Sequence, residues 1–143
     1  MVMTMGFDLS NCEDESYFRW NIWGFPPIRF LGEIYGWVPM GTTITDSERD
    51  KIEDFWYDTN DGQVVCEEDA SNWAEALTVA IKDLEITDTE TKGRRIDDDY
   101  MVERTKIWNK EPDAIKRYFD TKEDIEYVGQ FITFLEKGAF YIF

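Results

Sequence analysis

The chain has 143 residues, 31 acidic against 15 basic side chains, a formal net charge of -16 and no histidine. A surface of this sign repels phosphate, so direct nucleic-acid binding and binding to anionic membranes are disfavoured. The absence of histidine removes the usual general base near neutral pH, the Ser-His and Cys-His nucleophile pairs, and histidine-ligated zinc. The composition therefore favours a single non-enzymatic domain over residues 1–143, without a cofactor.

The N-terminal part of the sequence predicts a β-hairpin. Phe18, Trp20 and Ile22 alternate with polar residues within 17–23, and residues 7–9 form a preceding strand. Eight of the twenty-one residues from position 17 to 37 are aromatic, so this stretch is expected to supply much of the core.

A short helix and a turn are expected after the hairpin. Two consecutive prolines can open a helix over Pro27–Tyr35, because proline is tolerated in the first helical turn, and Gly36 is expected to stop it. Residues 37–42 are then predicted to form a turn.

A second helix is predicted to begin at Thr45. Thr45 and Glu48 have the spacing of a capping box, and an apolar face follows before the turn signal at residues 60–62. That apolar face consists of Ile52, Phe55 and Trp56.

Acidic residues recur along this predicted helix and form the candidate partner-binding site. On a helix, a spacing of four residues places carboxylates on one face, and the like charges destabilise the helix by about 0.2–0.5 kcal/mol for each pair. Such a row is either solvated surface or a contact for a basic protein surface, and a regular row of anions would also suit a mimic of a nucleic-acid backbone. The row is Asp46, Asp50, Asp54 and Asp58, joined by Glu53 and Asp61.

Two alternatives of another class remain open. One is an enzyme that uses a pair of carboxylates as acid and base. The other is a calcium-stabilised domain, for which Asp61 and Glu68 are the candidate ligands at positions 5 and 12 of an EF-hand loop between two helices. Tyr57 and Thr59 occupy positions where that loop needs acidic ligands, and an Asn-Asp-Gly turn explains the same residues without a metal.

The second half of the chain predicts two main helices and a final strand. An unbroken i, i+3, i+4 apolar stripe predicts a helix over 68–84, and a cap at Thr121 predicts another over 123–137 that Gly138 stops. Between them an exposed loop is expected over 85–99, then a strand or helix over 100–108 and a helical turn over 114–119.

These elements predict an α+β fold. A small, mostly antiparallel sheet, made of the N-terminal hairpin and a C-terminal strand over 139–143, is expected to pack against the two main helices. Cys12 and Cys66 do not form a CxxC motif, so two reduced thiols and a cytoplasmic location are expected.

The order of several short motifs resembles that of a group of small uncharacterised proteins of phages and their bacterial hosts. The motifs lie in 5–9, 17–25, 36–42, 60–62, 69–77 and 131–142, and among them are Gly36-Trp37-Val38-Pro39-Met40-Gly41-Thr42 and Gly138-Ala139-Phe140-Tyr141-Ile142. The resemblance implies a viral or prophage setting and no catalytic activity. Small acidic phage proteins are often inhibitors of host machinery or of host defence, so the expected partner is a basic surface of a host protein.

Overall fold

The computed structural model describes residues 6–43, 52–53, 57, 62–84 and 98–143. These residues form six strands and five helices. The strands are β1 (Gly6–Asn11), β2 (Tyr17–Asn21), β3 (Thr42–Thr43), β4 (Ile52–Glu53), β5 (Gln63–Val65) and β6 (Phe140–Ile142). The helices are α1 (Phe25–Ile34), α2 (Glu67–Asp83), α3 (Asp98–Trp108), α4 (Pro112–Tyr118) and α5 (Lys122–Leu135).

The six strands form one sheet in the order β2-β1-β6-β5-β3-β4, and every neighbouring pair is antiparallel. Leu9 of β1 lies opposite Phe18 of β2 on one side and Ile142 of β6 on the other. The predicted N-terminal hairpin is therefore confirmed, as is its pairing with the C-terminal strand. The predicted α+β class is also confirmed.

The core lies between one face of the sheet and the helices. Because side chains alternate across a strand, the buried residues of β1 and β2 share one face of the sheet, as do those of β6. Phe131 of α5 joins this face to α2: its ring centroid lies 5.2 Å from that of Phe18, 5.3 Å from that of Trp20 and 5.0 Å from that of Trp73. The two predicted main helices thus cover the sheet.

Both main helices begin and end close to the predicted positions. The Thr121 side chain accepts a hydrogen bond from the Asp124 N–H at 3.1 Å, which confirms the predicted cap of α5. Gly138 follows α5 with a φ of 108°, a conformation that glycine adopts without steric cost. Helix α2 starts one residue earlier than predicted, and the Cys66 sulfur accepts from the Asp69 N–H at 3.4 Å.

The short helix predicted after the hairpin and the two stretches before the last main helix all form helices. α1 includes the two prolines in its first turn, and Gly36 follows it with a φ of 103°. The stretch 100–108, left open between strand and helix, belongs to α3, and Pro112 begins α4. Residues 85–97 of the predicted loop lie outside the described residues, and Asp98 and Asp99 already belong to α3.

The prediction of a helix through residues 52–56 is wrong at Ile52–Glu53. These two residues form β4, which pairs with β3 so that Glu53 lies opposite Thr42 and Ile52 opposite Thr43. The sheet edge offers their backbone hydrogen-bond partners, whereas a helix here would bring like charges together at i, i+4. Strand β3 also begins at Thr42, inside the predicted turn, and β5 was not predicted.

Candidate acidic interface

The first turn of α2 points carboxylates in two directions. Glu67 and Glu68 are exposed, whereas Asp69 is fully buried. Negative side chains at a helix N-terminus interact favourably with the helix dipole, so all three support the start of α2. The outward pair belongs to a surface, and the inward residue belongs to the core.

The buried Asp69 carboxylate joins three separate segments. Its Oδ1 accepts from the Trp37 Nε1–H at 2.9 Å and from the Met40 N–H at 3.1 Å. Its Oδ2 accepts from the Tyr57 hydroxyl at 2.5 Å, and that hydroxyl accepts from the Gly41 N–H at 2.9 Å. Asp69 thereby holds the segment after α1 and the buried Tyr57 against α2.

Aromatic rings surround this network. Trp37 and Trp73 stack with ring centroids 4.3 Å apart and an interplanar angle of 2°, and Tyr57 meets Trp37 edge-on at 5.5 Å. Burial among these rings raises the pKa of the Asp69 carboxyl, although three hydrogen bonds oppose the shift. Burial likewise raises the pKa of the Tyr57 hydroxyl. Because both Asp69 oxygens are occupied by donors from the protein itself, we assign this network a structural role.

Two clefts lie along the outward side of α2, each with a volume of about 360 Å³. We call the first the acidic cleft; it lies between the N-terminal half of α2 and the end of α5. We call the second the anchor cleft; it lies between α2 and the residues that follow α1. The acidic cleft is lined by Glu67, Glu68, Ser71, Asn72, Leu135, Glu136 and Gly138. The anchor cleft is lined by Tyr35, Gly36, Val38, Asn72, Glu75, Ala76 and Val79.

Asn72 lines both clefts, so they adjoin. Neither contains a lysine or arginine among its described lining residues. Within the described part of the chain, the ion pairs join other acids to other bases, at Arg19–Asp8, Lys110–Glu33, Arg117–Glu103 and Lys122–Glu126. The carboxylates of Glu67, Glu68, Glu75 and Glu136 therefore form one acidic surface without a described ion pair. Lys116 is a base beside it, with its Nζ 5.5 Å from the ring centroid of Tyr35, which lines the anchor cleft.

The structure places few of the acids predicted as the partner-binding site. Asp46, Asp50, Asp54, Asp58 and Asp61 lie outside the described residues. Glu53 lies in β4 rather than on a helix, so the expected helical row of carboxylates is interrupted there. The nucleic-acid mimic was predicted from that row, and it stays a prediction because the four aspartates of the row lie outside the described residues.

The described residues bear on part of the calcium hypothesis, which stays a prediction because Asp61 lies outside them. An EF-hand loop lies between two helices, but the element before this segment is strand β4. Tyr57, at the first loop position, is buried and bonded to Asp69, and Glu68 lies exposed in the first turn of α2. Among the described residues no group of three or more His, Cys, Asp or Glu side chains could hold a metal ion.

Sequence reasoning missed both the buried Asp69 and the surface carboxylates of the acidic cleft. A signal for Asp69 exists: it lies four residues before Trp73, in phase with the apolar stripe of α2. No comparable signal in the sequence predicts that Glu136 lies near Glu67 and Glu68, because only the packing of α5 on α2 brings these residues together.

The fold and this surface define an acidic α+β protein whose described residues form a six-stranded antiparallel sheet. Comparison with known proteins found no matching family model and no significant match among curated proteins or solved structures. The resemblance to phage proteins therefore stays a prediction. Within the described residues, every helix is too short or too polar to cross a bilayer.

Proposed function

We propose that this chain is a non-enzymatic interaction protein that binds a basic surface of a partner protein. The observation that carries the proposal is the acidic surface along α2, where four carboxylates line two adjoining clefts without a described ion pair. Opposite charge on a partner would speed its approach and orient it, and like-charged surfaces would be rejected.

The proposed setting is a bacterial host cell, where the chain acts as a phage or prophage inhibitor of a host protein that belongs to its machinery or to its defence systems. This setting depends on the order of the sequence motifs and on the net charge of -16. An inhibitor acts by binding its target and blocking access to it, and it need not catalyse a reaction. A non-catalytic role agrees with a chain that has no histidine.

The decisive variant neutralises the four carboxylates of the acidic surface: Glu67→Gln, Glu68→Gln, Glu75→Gln and Glu136→Gln. The probe is a fluorescein-labelled peptide rich in lysine and arginine, followed by fluorescence anisotropy. Four exposed ion pairs at about 0.5 kcal/mol each correspond to roughly 30-fold in affinity. We expect a loss of that size at low salt.

A matched variant removes the same number of charges elsewhere. Glu13, Glu15, Glu111 and Glu126 are exposed glutamates that line neither cleft, and of these four Glu126 forms a described ion pair, with Lys122 at 3.9 Å. Their replacement by glutamine should weaken peptide binding by less than about threefold, through the loss of net charge alone. Equal losses in the two variants would show that the peptide responds only to total charge, and the proposal would then fail.

A further inference from the structure

We propose that the anchor cleft receives an apolar side chain of the basic partner. The inference rests on the proposed function and adds to it the feature that fixes where the partner docks. Charge alone attracts a basic surface over a broad area, whereas an apolar side chain in a cleft selects one position.

Two exposed valines from different elements line this cleft. Val38 lies in the segment after α1 and is 76% exposed, and Val79 lies on α2 and is 49% exposed. Tyr35 and the buried Ala76 complete its apolar lining. Apolar side chains that gather around a concave surface provide area that a partner can remove from water.

Charge complementarity identifies the occupant. Glu75 lines the anchor cleft, and Asn72 connects it to the acidic cleft, where Glu67, Glu68 and Glu136 lie. In a partner segment where lysines and arginines flank a leucine or similar residue, the apolar side chain would enter the anchor cleft. The basic side chains would then lie beside the carboxylates of both clefts. A second copy of this chain is a poor occupant, because two molecules that each carry a net charge of -16 repel one another.

The test compares two labelled peptides that contain the same lysines and arginines and differ at one central position, leucine in one and serine in the other. The wild-type protein should bind the leucine peptide about tenfold more tightly, because only leucine buries apolar area in the cleft. The double variant Val38→Ser with Val79→Ser should abolish this preference and retain affinity for the serine peptide.

Val102 provides the matched control. It is a valine of similar exposure, 54%, on helix α3, and it does not line the anchor cleft. Val102→Ser should keep the full preference for leucine. Circular dichroism of all variants reports whether they fold.

The outcomes separate this inference from the proposed function. Equal binding of both peptides by the wild type would overturn the anchor and leave the acidic interface in place. A preference for leucine that survives the double substitution, or disappears equally in Val102→Ser, would also overturn the anchor. Failure of both basic peptides to bind would overturn the proposed function, and the inference with it.

Discussion

At the scale of single residues, the motifs that suggested a resemblance to phage proteins serve the core. Trp37, Met40 and Gly41 belong to one quoted motif, and Asp69 and Trp73 belong to another. In the structure these two motifs meet through the Asp69 carboxylate and the stacked tryptophan rings. The motifs therefore supply both core contacts and part of the proposed interface, since Gly36 and Val38 of the first motif line the anchor cleft.

Replacing Asp69 with alanine should strongly destabilise the protein. The substitution removes the acceptor of the Trp37 Nε1–H and the Met40 N–H, and it leaves the Tyr57 hydroxyl only the Gly41 carbonyl oxygen at 3.3 Å. A buried donor without a partner costs about 1–3 kcal/mol, so the free energy of unfolding should fall by about 3 kcal/mol or more. Urea denaturation measures this change.

Glu75→Ala, at an exposed position of the same helix, is the control and should change the unfolding free energy by no more than about 0.5 kcal/mol. A loss below about 1 kcal/mol in Asp69→Ala would contradict the structural role assigned to the network.

At the scale of secondary-structure elements, α1 and α2 approach closely at a glycine. A Cβ atom at Gly32 would lie 2.7 Å from both Cδ1 and Nε1 of Trp73, and 3.1 Å from Cε3 of Trp37. Gly32 thus leaves room for the stacked tryptophans that connect the two helices. Gly129, in the middle of α5, differs because a Cβ atom there would meet nothing within 4 Å.

Substitution by alanine is expected to change the free energy of unfolding in opposite directions at these two glycines. Gly32→Ala should lower the free energy of unfolding by about 1–3 kcal/mol, because displacement of Trp73 outweighs the better helix propensity of alanine. Gly129→Ala should raise it by about 0.5–1 kcal/mol, because propensity acts there alone. Chemical denaturation with tryptophan fluorescence distinguishes the two, and a destabilised Gly129→Ala would contradict the packing described for α5.

At the scale of the whole molecule, the net charge of -16 opposes the compact state. The described ion pairs lie at the surface, where such pairs contribute only about 0–1 kcal/mol each. Stability must therefore come mainly from the aromatic core between the sheet and the helices.

Salt should consequently stabilise this protein. Raising the ionic strength from about 0.01 M to 0.15 M shortens the Debye length from about 30 Å to 8 Å, which screens repulsion between distant carboxylates. The thermal midpoint should rise, and it should rise less in the variant with glutamine at positions 13, 15, 111 and 126. Differential scanning calorimetry measures both, and an unchanged or lower wild-type midpoint would show that self-repulsion is not a significant cost.

The sequence by itself determined the elements whose signals are local. The alternation in β1 and β2, the apolar stripe of α2 and the cap at Thr121 all predicted the observed structure, because side-chain periodicity and capping act within one segment. The sequence also determined the acidity of the molecule and its lack of histidine chemistry.

Only the tertiary structure decided features that depend on distant partners. Ile52–Glu53 pairs with β3 because a sheet edge lies beside it, which overrides the local helix pattern. Asp69 is buried because donors from two other segments meet it, and Glu136 joins Glu67 because α5 packs on α2. Long-range packing brings these residues together, and no local pattern in the sequence encodes which surfaces will meet.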